Sequence, residues 1–250
     1  MVDKALFIGT SGAKDSMHEL QLITNNLANS STTGFRADYE TSKPYQVDKN
    51  GEQTRAYAVL NQAYSDFKHG PIYNTGRDLD VAISGDGFIA VQSASGAEGY
   101  TRAGNLQIKD GFLETQTGQL ILGVNGVIAI PKDADRISIG GDGSVSAQLK
   151  GSNDIVTINR MKLTNPPTSQ LQKGADGLFY MSGDDAVSSL PLDEKVRLSV
   201  HALEGSNVST VEMLTDLIDL SRKFELHTNL MKSVQDNASR ANQILEVPKG

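Results

Sequence analysis

The chain contains no cysteine, which removes disulfide frameworks, cysteine-ligated zinc and thiol nucleophiles together and leaves the redox compartment open. It also lacks any apolar run as long as the roughly 18 residues a membrane helix needs, so no membrane insertion is expected. The apolar patch at residues 5–8, after Lys4, is too short for the hydrophobic region of a cleaved signal peptide. Any route out of the cytoplasm is therefore expected to be one without signal cleavage. Basic residues are in the minority, 23 Lys and Arg against 30 Asp and Glu, and the net charge of −7 disfavours nucleic acid and anionic membranes as partners.

Catalytic and metal-binding patterns are equally scarce. The four histidines, His18, His69, His201 and His227, are scattered, with no H-x-x-x-H pair. No G-x-S-x-G elbow occurs. Gly85-Asp86-Gly87 and Gly140-Gly141-Asp142-Gly143 lie between strand-like segments without a following helix. They therefore lack the helix N-terminal donors that hold a pyrophosphate, and read as β-turns. Asp78, Asp80 and Asp86 do not match the calcium-loop spacing and are expected to cap turns and form surface ion pairs. No enzyme activity, cofactor or metal is predicted.

What the chain does contain is unevenly distributed. Its 250 residues suffice for a substantial core. Split at residues 74 and 205, the three parts carry net charges of −1, −5 and −1. Of the 24 glycines, 18 fall between Gly76 and Gly205, whereas residues 206–247 hold neither Gly nor Pro. Those two residues are the least tolerated inside a helix. The middle therefore reads as strands and turns, and the end as helix.

At the C-terminus Met213, Leu217, Leu220, Phe224, His227, Met231, Val234, Ala238, Ala241 and Leu245 alternate spacings of four and three, and only His227 is polar. This is a heptad seam about 50 Å long at 1.5 Å per residue. Ser209 and Glu212 form a capping box at its start, with Val208 placed to staple onto Met213, and Pro248 follows its end. A polar residue on such a seam, here His227, can set register. Near the N-terminus Leu6, Ala13, Leu20 and Leu27 recur every seven residues, supplemented by Met17 and Ile23, and predict a helix over residues 3–29. The polar run 30–34 should end it. Each helix needs a partner for its stripe, and the opposite terminus is the expected one.

Between the helices, short alternating segments begin at residue 79 and continue to 203 with Gly, Asn, Asp or Pro between them. Asp110-Gly111, between 106–109 and 112–115, is a hairpin signal. Such spacing predicts an all-β middle domain. The expected fold is thus α+β, with long N- and C-terminal helices pairing as a coiled-coil domain. Residues 1–34 and 206–250 form that domain, 35–74 an extended connector, and 75–205 the β domain. Asn25, Asn26 and Asn29 weaken the N-terminal helix as poor helix formers. They are read either as a frayed helix end or as amides that hydrogen-bond to neighbouring chains in an assembly.

These segments also carry a family resemblance. Residues 24–29, Thr-Asn-Asn-Leu-Ala-Asn, running into Ser31-Thr32-Thr33-Gly34-Phe35-Arg36 resemble the N-terminal signature of bacterial flagellar rod and hook proteins. Leu203-Glu204-Gly205-Ser206-Asn207-Val208 resembles their C-terminal signature. Residues 76–83, 85–88, 100–105 and 123–126 are similar to the rod branch, and 88–92, with the short length, to its proximal-rod members. The resemblance implies a non-enzymatic structural subunit that self-assembles into the axial drive shaft as part of a helical tube. It implies proximal and distal rod proteins and the flagellar type III export apparatus as partners. The implied location is the basal body, in the rod crossing the periplasm. Assembly is assigned to Leu20, Asn25, Asn26, Leu27, Asn29 and the C-terminal seam from Met213 to Leu245. The alternatives are a distal-rod or hook-base subunit of the same family, and a secreted carbohydrate-binding β domain using the Asp78, Asp80 and Asp86 cluster.

Overall fold

The computed structural model describes residues 2–49, 52–151, 154–182 and 189–245, with the side chains of 9–40, 64–151, 154–182 and 189–240. The chain divides into two compact units. One comprises Met1–Ala28, Asp38–Ala63 and Ser209–Gly250, and the other Asn29–Ala37 and Tyr64–Val208.

The first unit contains helix α1 (Val2–Ala28), a two-stranded hairpin (Asp38–Lys49 and Glu52–Ser65, whose last residues lie in the other unit) and helix α2 (Thr210–Leu245). The capping signal operates as expected: the Ser209 hydroxyl accepts from Glu212 N at 3.3 Å, and the Ser209 carbonyl from Met213 N at 3.0 Å. Two long terminal helices and a β-rich middle are present, but the expected coiled-coil domain is not. A coiled coil needs apolar knobs from both helices entering holes made by four residues of the partner. On α1 the heptad residue Leu20 and its neighbour Met17 are exposed, while Ser16, Ile23 and Asn26 are buried. At Gly9 and Gly12 α1 meets α2 with bare backbone: a Cβ on Gly9 would lie 2.8 Å from Met231 Cγ, and one on Gly12 would collide with the His227 ring. Side chains of α2 thus rest on glycine instead of interlocking with a second seam. On α2 itself Met213 and Leu220 are buried but Phe224, on the same seam, is exposed.

The second unit is built on a nine-stranded antiparallel sheet. Its main path runs Leu171–Lys173, Phe179–Met181, Glu98–Thr101, Phe88–Gln92, Leu120–Gly123, Phe112–Thr115 and Leu106–Lys109. Leu163–Thr164 and Gly126–Val127 pair off this path with Phe88–Gln92 and Leu120–Gly123. A separate three-stranded sheet contains Ala134–Ile139, Ser144–Leu149 and Ile155–Arg160. Arg197–Val200 pairs with Val81–Ser84, and Ala202–Glu204 with Ile72–Asn74. At the Asp110-Gly111 turn both residues have positive φ, 53° and 81°, the geometry of a two-residue hairpin that matches strand twist.

The strand Phe88–Gln92 lies between two clusters of side chains. Ile89 and Val91 point into a large aliphatic core with Val81, Ile83, Leu106, Leu113, Ile121 and Met161. Phe88 and Ala90 face Tyr100 and Phe179 on the other side. Phe67 closes that smaller cluster, edge-on to Phe88 at 6.0 Å and tilted against Phe179 at 5.3 Å. A strand buried on both faces explains why residues 88–91 are continuously apolar.

Candidate assembly site

The end of the N-terminal signature, residues 31–36, meets the C-terminal signature inside the second unit. After Ala28 the chain turns through residues 29–34, and Gly34 N donates to the Glu204 carbonyl at 2.8 Å. Gly34 has φ of 69°, and a Cβ there would collide with the backbone of Arg102 and Ala103, so this turn requires glycine. Two residues on, Arg36 Nη2 donates to Glu204 Oε1 at 2.6 Å, with both side chains almost wholly buried. Arg102 Nη1 donates to Glu204 Oε2 at 2.9 Å, and Gly70 N to Oε1 at 3.1 Å. One carboxylate therefore joins three distant stretches of chain.

The electrostatics of this cluster follow from its burial. Burial would raise the Glu204 carboxyl, but Arg102 and Arg36 together more than offset that and hold it below the ordinary carboxylate range. Burial pushes the Arg102 guanidinium down; Glu204 opposes this and Arg36 adds to it. Arg102 also donates through Nη2 to the Gly85 carbonyl at 2.8 Å and lies 5.3 Å from the centre of the Phe88 ring. His69 Nδ1 is 3.0 Å from Arg102 Nη1. Because a guanidinium only donates, this nitrogen accepts, and the proton sits on Nε2, facing Asp86 Oδ1 at 3.2 Å. Among the described residues Arg36 Nε and Nη1 and Arg102 Nε have no hydrogen-bond partner, the residual cost of placing two cations around one anion.

Asn207 completes the junction. Its Oδ1 accepts from Ala37 N at 2.8 Å, while Nδ2 donates to the Asp66 and Lys68 carbonyls at 2.8 and 3.1 Å. Lys173 Nζ donates to the Arg36 carbonyl at 3.1 Å and sits 3.9 Å above the Phe35 ring. The segment leaving α1 and the segment entering α2 are thus fastened by the same polar network.

The sequence-predicted residues fall into several environments. Asn26 is buried in the first unit, where its Nδ2 donates to the Asp38 carbonyl at 2.8 Å and its Oδ1 accepts from Asp38 N at 2.9 Å. Its amide thus copies one rung of a β-ladder inside the chain. Asn29 accepts from the Thr32 hydroxyl at 3.1 Å, Asn25 is exposed, and Leu27 is half-buried. Met213 and Leu220 are buried; Leu217, His227, Met231 and Val234 are half-buried; Leu20 and Phe224 are exposed. The side chains of Leu6 and Leu245 lie outside the described residues. The Asp cluster splits. Asp78 and Asp86 are exposed, whereas Asp80 is fully buried and accepts from the Thr75 hydroxyl at 2.7 Å, so it is not the surface pair expected. Among the described residues no three His, Asp or Glu side chains converge as a metal site. No helix among them is long and apolar enough to cross a membrane.

Arg36, Glu204 and Arg102 were not singled out from the sequence. Arg36 and Glu204 do lie in the two signatures, but nothing in a linear reading pairs residues 168 positions apart.

Comparison with known proteins converges on one family. Residues 82–147 match the flagellar hook protein FlgE/F/G D1 domain, and residues 200–244 the C-terminal region of the flagellar basal-body rod FlgEFG proteins. The chain is 36% identical to the flagellar basal-body rod protein FlgF of Escherichia coli K12, over 98% of this chain and 100% of that one. It is 35% identical to FlgF of Salmonella typhimurium with the same coverage. Against the flagellar basal-body rod protein FlgG of Agrobacterium fabrum identity is 29%, over 97% of this chain and 100% of that one. With both signatures joined in one buried network and full-length similarity on either side of it, the chain belongs to the flagellar basal-body rod protein family, in its FlgF-like branch.

Proposed function

We propose that this chain, a structural subunit of the flagellar basal body rod, occupies the proximal part of that rod and passes torque along it without any enzymatic role. The observation that carries this reading is the Arg36–Glu204–Arg102 network with Asn207, which fastens the segments leading to both terminal helices into the β-rich unit. A load-bearing shaft needs such joints, because torque reaching a helix through a loose loop would be dissipated there. Residues 1–34 and 206–250 act as the assembly region in this reading, with 35–74 as the connector and 75–205 as the β domain. Leu20, Asn25, Asn29 and Phe224 are assigned to contacts with neighbouring rod proteins, proximal and distal, while Met213 and Leu220 support the helices from within. Asn26 and Leu27 hold the end of α1, and Leu217, His227, Met231, Val234 and Leu245 are assigned to assembly along α2. Delivery is by the flagellar type III export apparatus, without signal cleavage, into a rod that crosses the periplasm.

Electron microscopy of basal bodies from a strain lacking this chain tests the reading. A rod cut short near its base is expected; a full-length rod contradicts it.

A further inference from the structure

We infer that a cleft in the helical unit is the socket for α2 of a second copy of this chain. The inference rests on the rod-subunit reading and deepens it by naming the partner and its contact. The cleft has a volume of about 290 Å³, and Leu22, Ile23 and Met213 give it an apolar lining. Five carboxylates line it, those of Asp15, Glu19, Asp38, Glu40 and Asp216, and among the described residues no Lys or Arg does. Glu40 makes the polarity costly, since its side chain is only 9% exposed and it is met by the His18 imidazole at 3.0 Å. A carboxylate that deep, with an imidazole as its partner, is stabilised further by an arriving permanent cation.

The outer face of α2 carries a matching surface. Ile218, Arg222 and Leu226 are four residues apart and form one row on the helix. Ile218 and Leu226 are 55% and 69% exposed, and the Arg222 side chain is 75% exposed, its nearest carboxylate, Asp219, being 4.0 Å away. An apolar–cation–apolar row meets a cleft lined by apolar and anionic side chains, so desolvating the apolar pair and pairing the guanidinium occur in one contact. Socket and row are different surfaces of the same unit. A contact between them is therefore heterologous, and such contacts propagate into open helices instead of closing as dimers.

The cysteine-free sequence supplies a clean test. With Glu19→Cys and Arg222→Cys in one chain, oxidation of isolated basal bodies should give a ladder of disulfide-linked copies of this chain, absent from each single variant. Glu19→Arg and Arg222→Glu should each lower motility at least tenfold while leaving secondary structure unchanged, and the double reversal should restore most of it. A ladder missing from basal bodies that contain the chain, a cross-link only to a chain of different mass, or a double reversal no better than the singles overturns the inference and leaves the rod reading standing. Absence of the chain from basal bodies overturns both.

Discussion

The two units bury their residues in different ways. The β-rich unit has an aliphatic core around Val81, Ile89, Leu113, Ile121 and Met161, an aromatic cluster around Phe88 and a junction in which the Glu204 carboxylate pairs with two guanidinium groups. The helical unit buries Ile23, Met213 and Leu220 but leaves Val211, Leu214, Ile218, Leu226 and Leu230 in solvent along α2. A unit that exposes a helix face this apolar has not finished burying its surface. The difference teaches where each part has its packing: the β-rich unit carries its own cores, whereas the proposed docking of a second copy is what covers the exposed face of the helical unit.

The largest expected effect breaks the first half of that comparison. Glu204→Ala leaves Arg36 and Arg102 buried without their anion, and loss of one partner from a buried ion pair costs about 3–5 kcal/mol. The thermal midpoint of the β-rich unit should fall by roughly 10 °C on the scale of a domain this size. An unchanged midpoint would show that the network contributes nothing to that unit's stability.

Asn207→Ala should cost less, about 2–3 kcal/mol, because the Asp66 and Lys68 carbonyls and Ala37 N lose their partner but some of these groups can recruit water. Urea unfolding of the purified variant measures it, and a loss below about 0.5 kcal/mol would place the junction's strength in the ion pairs alone. In the helical unit, Asn26→Ala removes the rung to Asp38 and should cost about 1–2 kcal/mol there, with the β-rich transition unmoved. A shift in both transitions would show that the units melt as one.

The smallest expected effect is the pH dependence. Glu204 is held below the ordinary carboxylate range, so its contribution is complete above the unfolded value of about 4.3 and is lost as pH falls through the folded value. The midpoint of the β-rich unit should be nearly flat from neutral pH down to about 5 and drop below about 4. Glu204→Gln should flatten that acid limb; an identical limb in the variant would assign it to other carboxylates.

How much of this was legible in the sequence depends on the range of the interaction. The helix limits, the Ser209 cap and the Asp110-Gly111 hairpin depend on neighbours within a few residues, and a linear pattern carries that information. The strands Glu98–Thr101 and Leu171–Lys173 carry no such pattern, because Glu98, Gly99 and Gln172 interrupt the alternation and pairing with adjacent strands decides their state. The heptad on α1 misleads because Leu6, Ala13, Leu20 and Leu27 are the visible repeat, while the contacts with α2 include Gly9, Thr10 and Gly12, which hydrophobic periodicity does not register. Burial of Asp80 and the joining of Arg36, Glu204 and Arg102 needed the tertiary fold, since nothing local distinguishes those charges from surface ones.

Hydrogen exchange along α2, measured on the isolated chain and on the same chain within purified basal bodies, tests the central claim most directly. The account predicts weak protection of residues 210–245 in the isolated monomer against strong protection in the rod, with the strand Phe88–Gln92 equally protected in both. Equal and strong protection of α2 in a verified monomer would contradict it, because the helical unit would then be complete without its neighbours.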